Sequence, residues 1–140
     1  MISTTSSSVS YTGNASTVTS YAVAFPLNAA ADLVAISKVT ATGVEATLTG
    51  GQFDFTPTTS GGRITGGSVT TDPAIPATST ILFKRVTPKT QTLDFTAGGS
   101  FEAEAIESTL DKIVMIAQEV ARDFGVADTA LDTRITALEP

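Results

Sequence analysis

The hydrophobic period of this 140-residue chain changes once, around Gly98-Gly99-Ser100, and that change constrains the fold more than any motif does. Residues 1–99 hold ten of the eleven glycines, five of the six prolines and thirty-two Ser/Thr. Such a composition punctuates short strands with turns and disfavours helices. Beyond residue 99, Ile106, Leu110, Ile113, Ala117, Val120 and Phe124 recur at spacings of 4, 3, 4, 3 and 4, which is the seam of a coiled-coil-like helix of about seven turns. A chain of this length makes one modest core plus an appendage. The expected fold is mainly β with C-terminal α: a small β-sandwich-like head over 1–99, an amphipathic helix over 100–124, and a kinked continuation over 125–140 forming a short trimeric coiled-coil neck.

Within the head, the expected strands are Val9–Tyr11, Thr19–Phe25, Leu33–Val39, Val44–Thr49, Phe53–Thr56, Ile64–Thr71 and Thr80–Val86, separated by Gly, Asn and Asp turns. Tyr21, Val23 and Phe25 alternate with Ser20, Ala22 and Ala24, so one face of that strand is apolar. In Ile81-Leu82-Phe83-Lys84-Arg85-Val86 the apolar start is expected inside and the basic end outside. Lys84, Arg85 and Lys89 are then the densest basic cluster of a head that carries five Lys/Arg against five Asp/Glu. They are the candidate polar contacts to a neighbour. Arg63-Ile64-Thr65, flanked by Gly61-Gly62 and Gly66-Gly67, lacks the Lys-Ser/Thr of a phosphate loop and reads as a hairpin or bulge.

Two signals open the helix: Ser100 as N-cap, and Glu102, Glu104 and Glu107 against the positive end of the helix dipole. Gly125 is expected to interrupt it, with Asp128 as a fresh N-cap and Leu131, Ile135 and Leu138 on a second, shifted seam. Arg134-Ile135-Thr136-Ala137-Leu138-Glu139 fits an Arg-h-x-x-h-Glu pattern, h being apolar, that resembles a signature of trimeric coiled coils. Ile135 and Leu138 are the knobs, and Arg134 lies over the seam to reach Glu139 of the adjacent chain.

The chain has no cysteine and no histidine, which removes disulfide scaffolds, thiolate and imidazole metal sites and His- or Cys-based catalysis. Asp54 with Asp72 or Asp94 is the remaining carboxylate pairing, and turn or surface roles account for all three. Asn14-Ala15-Ser16 matches a glycosylation sequon, yet a turn at Gly13-Asn14 explains the asparagine. The net charge of −6 sits after residue 99, where three Lys/Arg face nine Asp/Glu. An acidic tail without a basic patch argues against nucleic acid as partner. No apolar run approaches the ~18 residues of a membrane span, and Met1 to Ser10 lacks the regions of a signal peptide. No cofactor, no membrane partner and no enzymatic activity are expected.

Taken in order, Tyr11-Thr12-Gly13-Asn14, Ala24-Phe25-Pro26, Asp32-Leu33-Val34, Phe53-Asp54-Phe55, Gly67-Ser68-Val69-Thr70 and Phe83-Lys84-Arg85-Val86-Thr87-Pro88 resemble the N-terminal domain of tail fibres from short-tailed bacteriophages related to T7. The likeness continues through Thr90-Gln91, Asp94-Phe95, Gly98-Gly99-Ser100-Phe101, Glu104 and Met115 to Ala121-Arg122-Asp123. The resemblance implies a homotrimeric structural protein of the virion tail, made in the host bacterial cytoplasm. Such a protein anchors the fibre on tail tube or adaptor proteins and hands over to a distal fibre or spike used in host attachment. The chain departs from the family in ending at Pro140, just past the trimer pattern, so that a truncated fibre and a short adaptor are both expected readings. A small β-rich carbohydrate- or surface-binding module is the alternative, and it predicts exposed aromatic platforms from a chain with no Trp and two Tyr.

Overall fold

A computed structural model describes residues 6–90, 99 and 102–138, without the side chains of 126–133, 135 and 138. Seven strands precede one long helix: β1 (Ser8–Thr12), β2 (Tyr21–Val23), β3 (Leu33–Val39), β4 (Glu45–Thr47), β5 (Phe53–Ser60), β6 (Arg63–Thr71), β7 (Ser79–Arg85) and α1 (Ala103–Leu138). The pairings between these strands are antiparallel, in a four-stranded sheet ordered β1-β7-β3-β4 and a three-stranded sheet ordered β2-β6-β5.

Alternation along each strand sends one set of side chains between the sheets. Tyr21, Val23 and Val69 come from one sheet and Leu33, Ala35, Ile81 and Phe83 from the other, with Phe25, Leu27 and Ile75 completing the buried core. The rings of Tyr11, Tyr21 and Phe83 meet across it at centroid separations of 5.4 to 6.4 Å, tilted as aromatic pairs prefer. Among the described residues, none of α1 belongs to this core.

Two local expectations hold. Gly61 and Gly62 form the two-residue turn of the β5–β6 hairpin, both at positive φ, 60° and 77°, as the twist-matched hairpin turn requires. The register shifts at Thr58/Thr59, giving the expected irregularity. Asn14 serves a turn, donating to Thr19 Oγ1 at 2.7 Å and accepting from Ser16 N–H at 3.2 Å. Gly13 is needed for close approach, because a Cβ there would lie 2.2 Å from the carbonyl oxygen of Pro76.

Two expectations are corrected. Arg85 does not emerge: β7 alternates strictly, Ser79, Ile81, Phe83 and Arg85 face inward, and Arg85 is fully buried. The period of two outweighs the charge because a counter-charge is waiting inside. Gly125 does not end the helix either, since α1 runs through it to Leu138 and Asp128 lies within the helix rather than at a new N-cap. A single glycine costs about 1 kcal/mol relative to alanine, which a 36-residue cooperative ladder absorbs. The first cap, Ser100, lies outside the described residues.

Candidate functional site

The most elaborate side-chain arrangement is where α1 meets the end of the head. Strand β7 delivers Arg85 to that end, and every nitrogen of its guanidinium donates. Nε bonds Glu119 Oε1 at 2.8 Å, Nη1 bonds the Pro26 carbonyl at 2.8 Å, and Nη2 bonds Gln118 Oε1 at 2.8 Å and the Met115 carbonyl at 3.2 Å. Glu119, 2% exposed, is held in turn by Thr87, whose N–H donates to Oε2 at 2.8 Å and whose hydroxyl donates to Oε1 at 2.6 Å. A charge taken out of water persists only with a partner and with its remaining hydrogen-bonding capacity filled. Both conditions are met here.

Further polar contacts extend the junction to both sides. Arg122 Nη1 donates to the carbonyls of Arg85 at 2.9 Å and Ser7 at 3.1 Å. Arg63, at the start of β6, pairs with Asp111 and bonds Ser108 Oγ, and Lys112 donates to the Thr90 carbonyl. Asp32 lies against the same cluster, accepting from Ala29 N–H at 3.1 Å. Burial pushes its carboxyl above the ordinary value, and Glu119 adds to that, while the Ala29 hydrogen bond and the charges of Lys112 and Arg85 oppose it. Among the described residues, Met115 is the buried apolar side chain that α1 contributes.

α1 is therefore polar toward its own head. Its apolar seam points the other way: about half a turn round from Met115 and Glu119 at ~100° per residue, Leu110 is 55%, Ile113 56% and Phe124 73% exposed. Ala117 and Val120 are exposed and Ile106 is half-buried. Of the proposed neck, Arg134 is exposed. Leu131, Ile135 and Leu138 lie on α1 with side chains outside the described residues, as is Glu139.

The three basic residues expected to act together are separated. Arg85 is spent inside, Lys84 is half-buried on the opposite face of β7, and Lys89 is exposed beyond the strand. Asp54 and Asp72 do line one open cavity, with Thr17, Thr70 and Thr71, while Asp94 lies outside the described residues. Among the described residues no group of three or more His, Cys, Asp or Glu is arranged to hold a metal ion, and no helix is long and apolar enough to cross a membrane. The aromatic rings of Tyr21, Phe25 and Phe83 are core, and Tyr11, Phe53 and Phe55 pack against it. Among the described residues Phe124 is the exposed ring, and it belongs to the seam.

Glu119, Thr87, Gln118 and Arg122 were not legible as a site. The available signal was that Met115, Glu119 and Arg122 share the helix face opposite the seam, a face that would ordinarily be read as solvated. No protein-family model matches the chain, and no curated protein matches it either.

Proposed function

We propose that this chain is a homotrimeric structural protein of a bacteriophage virion, an anchor or adaptor that joins the tail to a distal fibre or spike used in host attachment. The observation that carries the reading is the inverted amphipathicity of α1, whose polar face is fastened to the head while an apolar seam of coiled-coil spacing faces solvent. A seam that repeats at 3 and 4 is complementary to other copies of itself, because each apolar knob needs a hole framed by a like helix. The head lies on the far side of each helix, so three heads radiate from a central bundle without obstructing it. The order of motifs, which resembles that of tail fibres of T7-related phages, supplies the virion context. Lys84 and Lys89 remain the candidate contacts to the tail; Arg85 is withdrawn from that role. The surface-binding alternative is the less favoured reading, because among the described residues Tyr21, Phe25 and Phe83 are core and Tyr11, Phe53 and Phe55 pack against it.

Light scattering on the purified chain tests the assembly, with a mass three times that of the 14.3 kDa protomer expected at tens of micromolar. A monomer at that concentration overturns it. Reversing the charge at Lys84 and Lys89 should reduce incorporation into purified virions without altering the trimer, and unchanged incorporation removes both residues from the tail contact.

A further inference from the structure

Beside the seam, a groove runs between residues 6–8 of the head and the flank of α1 formed by Val114, Ala117 and Ala121. We propose that Ile116 of one copy fills this groove in the next copy, with the helices parallel. The inference rests on the homotrimer reading and specifies its contact.

Taking Leu110 and Ala117 as a positions and Ile113 and Val120 as d positions puts Val114 and Ala121 at e, and Thr109 and Ile116 at g. In a parallel bundle, a g residue of one helix faces the e residue five positions further along its neighbour. Ile116 therefore faces Ala121, and Thr109 faces Val114. At the first pairing a large branched side chain meets a methyl group flanked by open space, and that space is the groove. An antiparallel arrangement sets g against g and e against e, so that two Ile116 side chains compete for one place while two grooves face each other unfilled. The size difference between Ile116 and Ala121 thus selects direction in a bundle whose flanks lack the charge pairs that usually do so.

The groove has one wall from the head, and Arg122 ties that wall to the helix through the Ser7 carbonyl. The neighbour's Ile116 accordingly touches both head and helix of the copy that receives it. A second copy is the fitting occupant because the groove is continuous with the seam, Ala117 belonging to both.

The absence of cysteine from the chain makes a direct test available. Full-length protein carrying Ile116→Cys and Ala121→Cys together is treated with a short bismaleimide and run on a denaturing gel. A covalent trimer is expected, and each single variant should run as monomer. Light scattering of the untreated double variant separates the two ways to fail. A trimer in solution without covalent trimer on the gel, or covalent dimers from Ile116→Cys alone, overturns the groove contact and leaves the trimer standing; a monomer in solution for the parent chain as well as the double variant overturns both.

Discussion

The head and α1 put their apolar residues to opposite uses. The head turns Tyr21, Phe25, Val69, Ile81 and Phe83 inward into an apolar core to which no described residue of α1 belongs. α1 holds on to the head through Arg85, Glu119, Thr87 and Arg122 and leaves Leu110, Ile113, Val120 and Phe124 outside. Under the proposed trimer, the difference is how one chain keeps its folded head and its assembly surface apart. If α1 docked by its apolar face, no seam would remain for other copies. A polar fastening reserves that face, because specific hydrogen bonds fix where the helix lies without consuming hydrophobic area.

Breaking the fastening should have the largest effect. Glu119→Ala leaves a buried guanidinium without its counter-charge, at a cost of about 3–5 kcal/mol. Amide exchange is expected to rise along α1 while β3 and β7 stay protected. If the strands lose protection together with the helix, head and helix are one cooperative unit and the contrast drawn above dissolves. The paired change Arg85→Met with Glu119→Leu sharpens it: removing both charges should recover part of the loss, and the Thr87 N–H and hydroxyl left without their acceptor keep the rest from returning.

Next comes the seam. In the proposed trimer, Ile113→Asp removes apolar burial of about 1.5–3 kcal/mol per side chain and sets like charges around one axis. The expected product is a monomer by light scattering with an unchanged circular dichroism spectrum, because this side chain does not serve the head. Loss of helical signal would mean that α1 needs its neighbours to stay folded.

The smallest effect concerns Asp32. Its folded-state pKa lies above its unfolded one, so ionisation works against folding. That penalty is absent below the unfolded value and grows as pH rises through the folded value. Asp32→Asn should therefore raise the Tm relative to the parent at neutral pH, with the advantage vanishing in acid. A difference that stays constant across pH would trace instead to the hydrogen bond from Ala29.

How much of this was legible varied with the range of the interaction involved. β3 occurs with the bounds read from its alternation, Leu33–Val39, because a period of two is a property of neighbouring residues. The Gly61-Gly62 turn was legible for the same reason, the required positive φ being a property of glycine itself. β5 was read too short: it continues from Phe53 to Ser60 through Pro57, which an edge strand tolerates. The candidate contact at Arg85 was misread because a positive charge at a strand end was sent to water by its residue type alone.

By itself, then, the sequence determined that strands precede a helix, the Gly61-Gly62 turn, the change of period near residue 99 and the spacing of the seam, though not the bounds of β2, β4 and β5. Only the tertiary structure decided that Arg85 faces inward, that its partner is Glu119, 34 residues further on, that α1 continues through Gly125, and that the helix face turned to the head is the polar one. Backbone propensity and hydrophobic period act over a few residues and can be read there. The burial of a charge depends on which distant side chain arrives to neutralise it, and that is settled only when the elements pack.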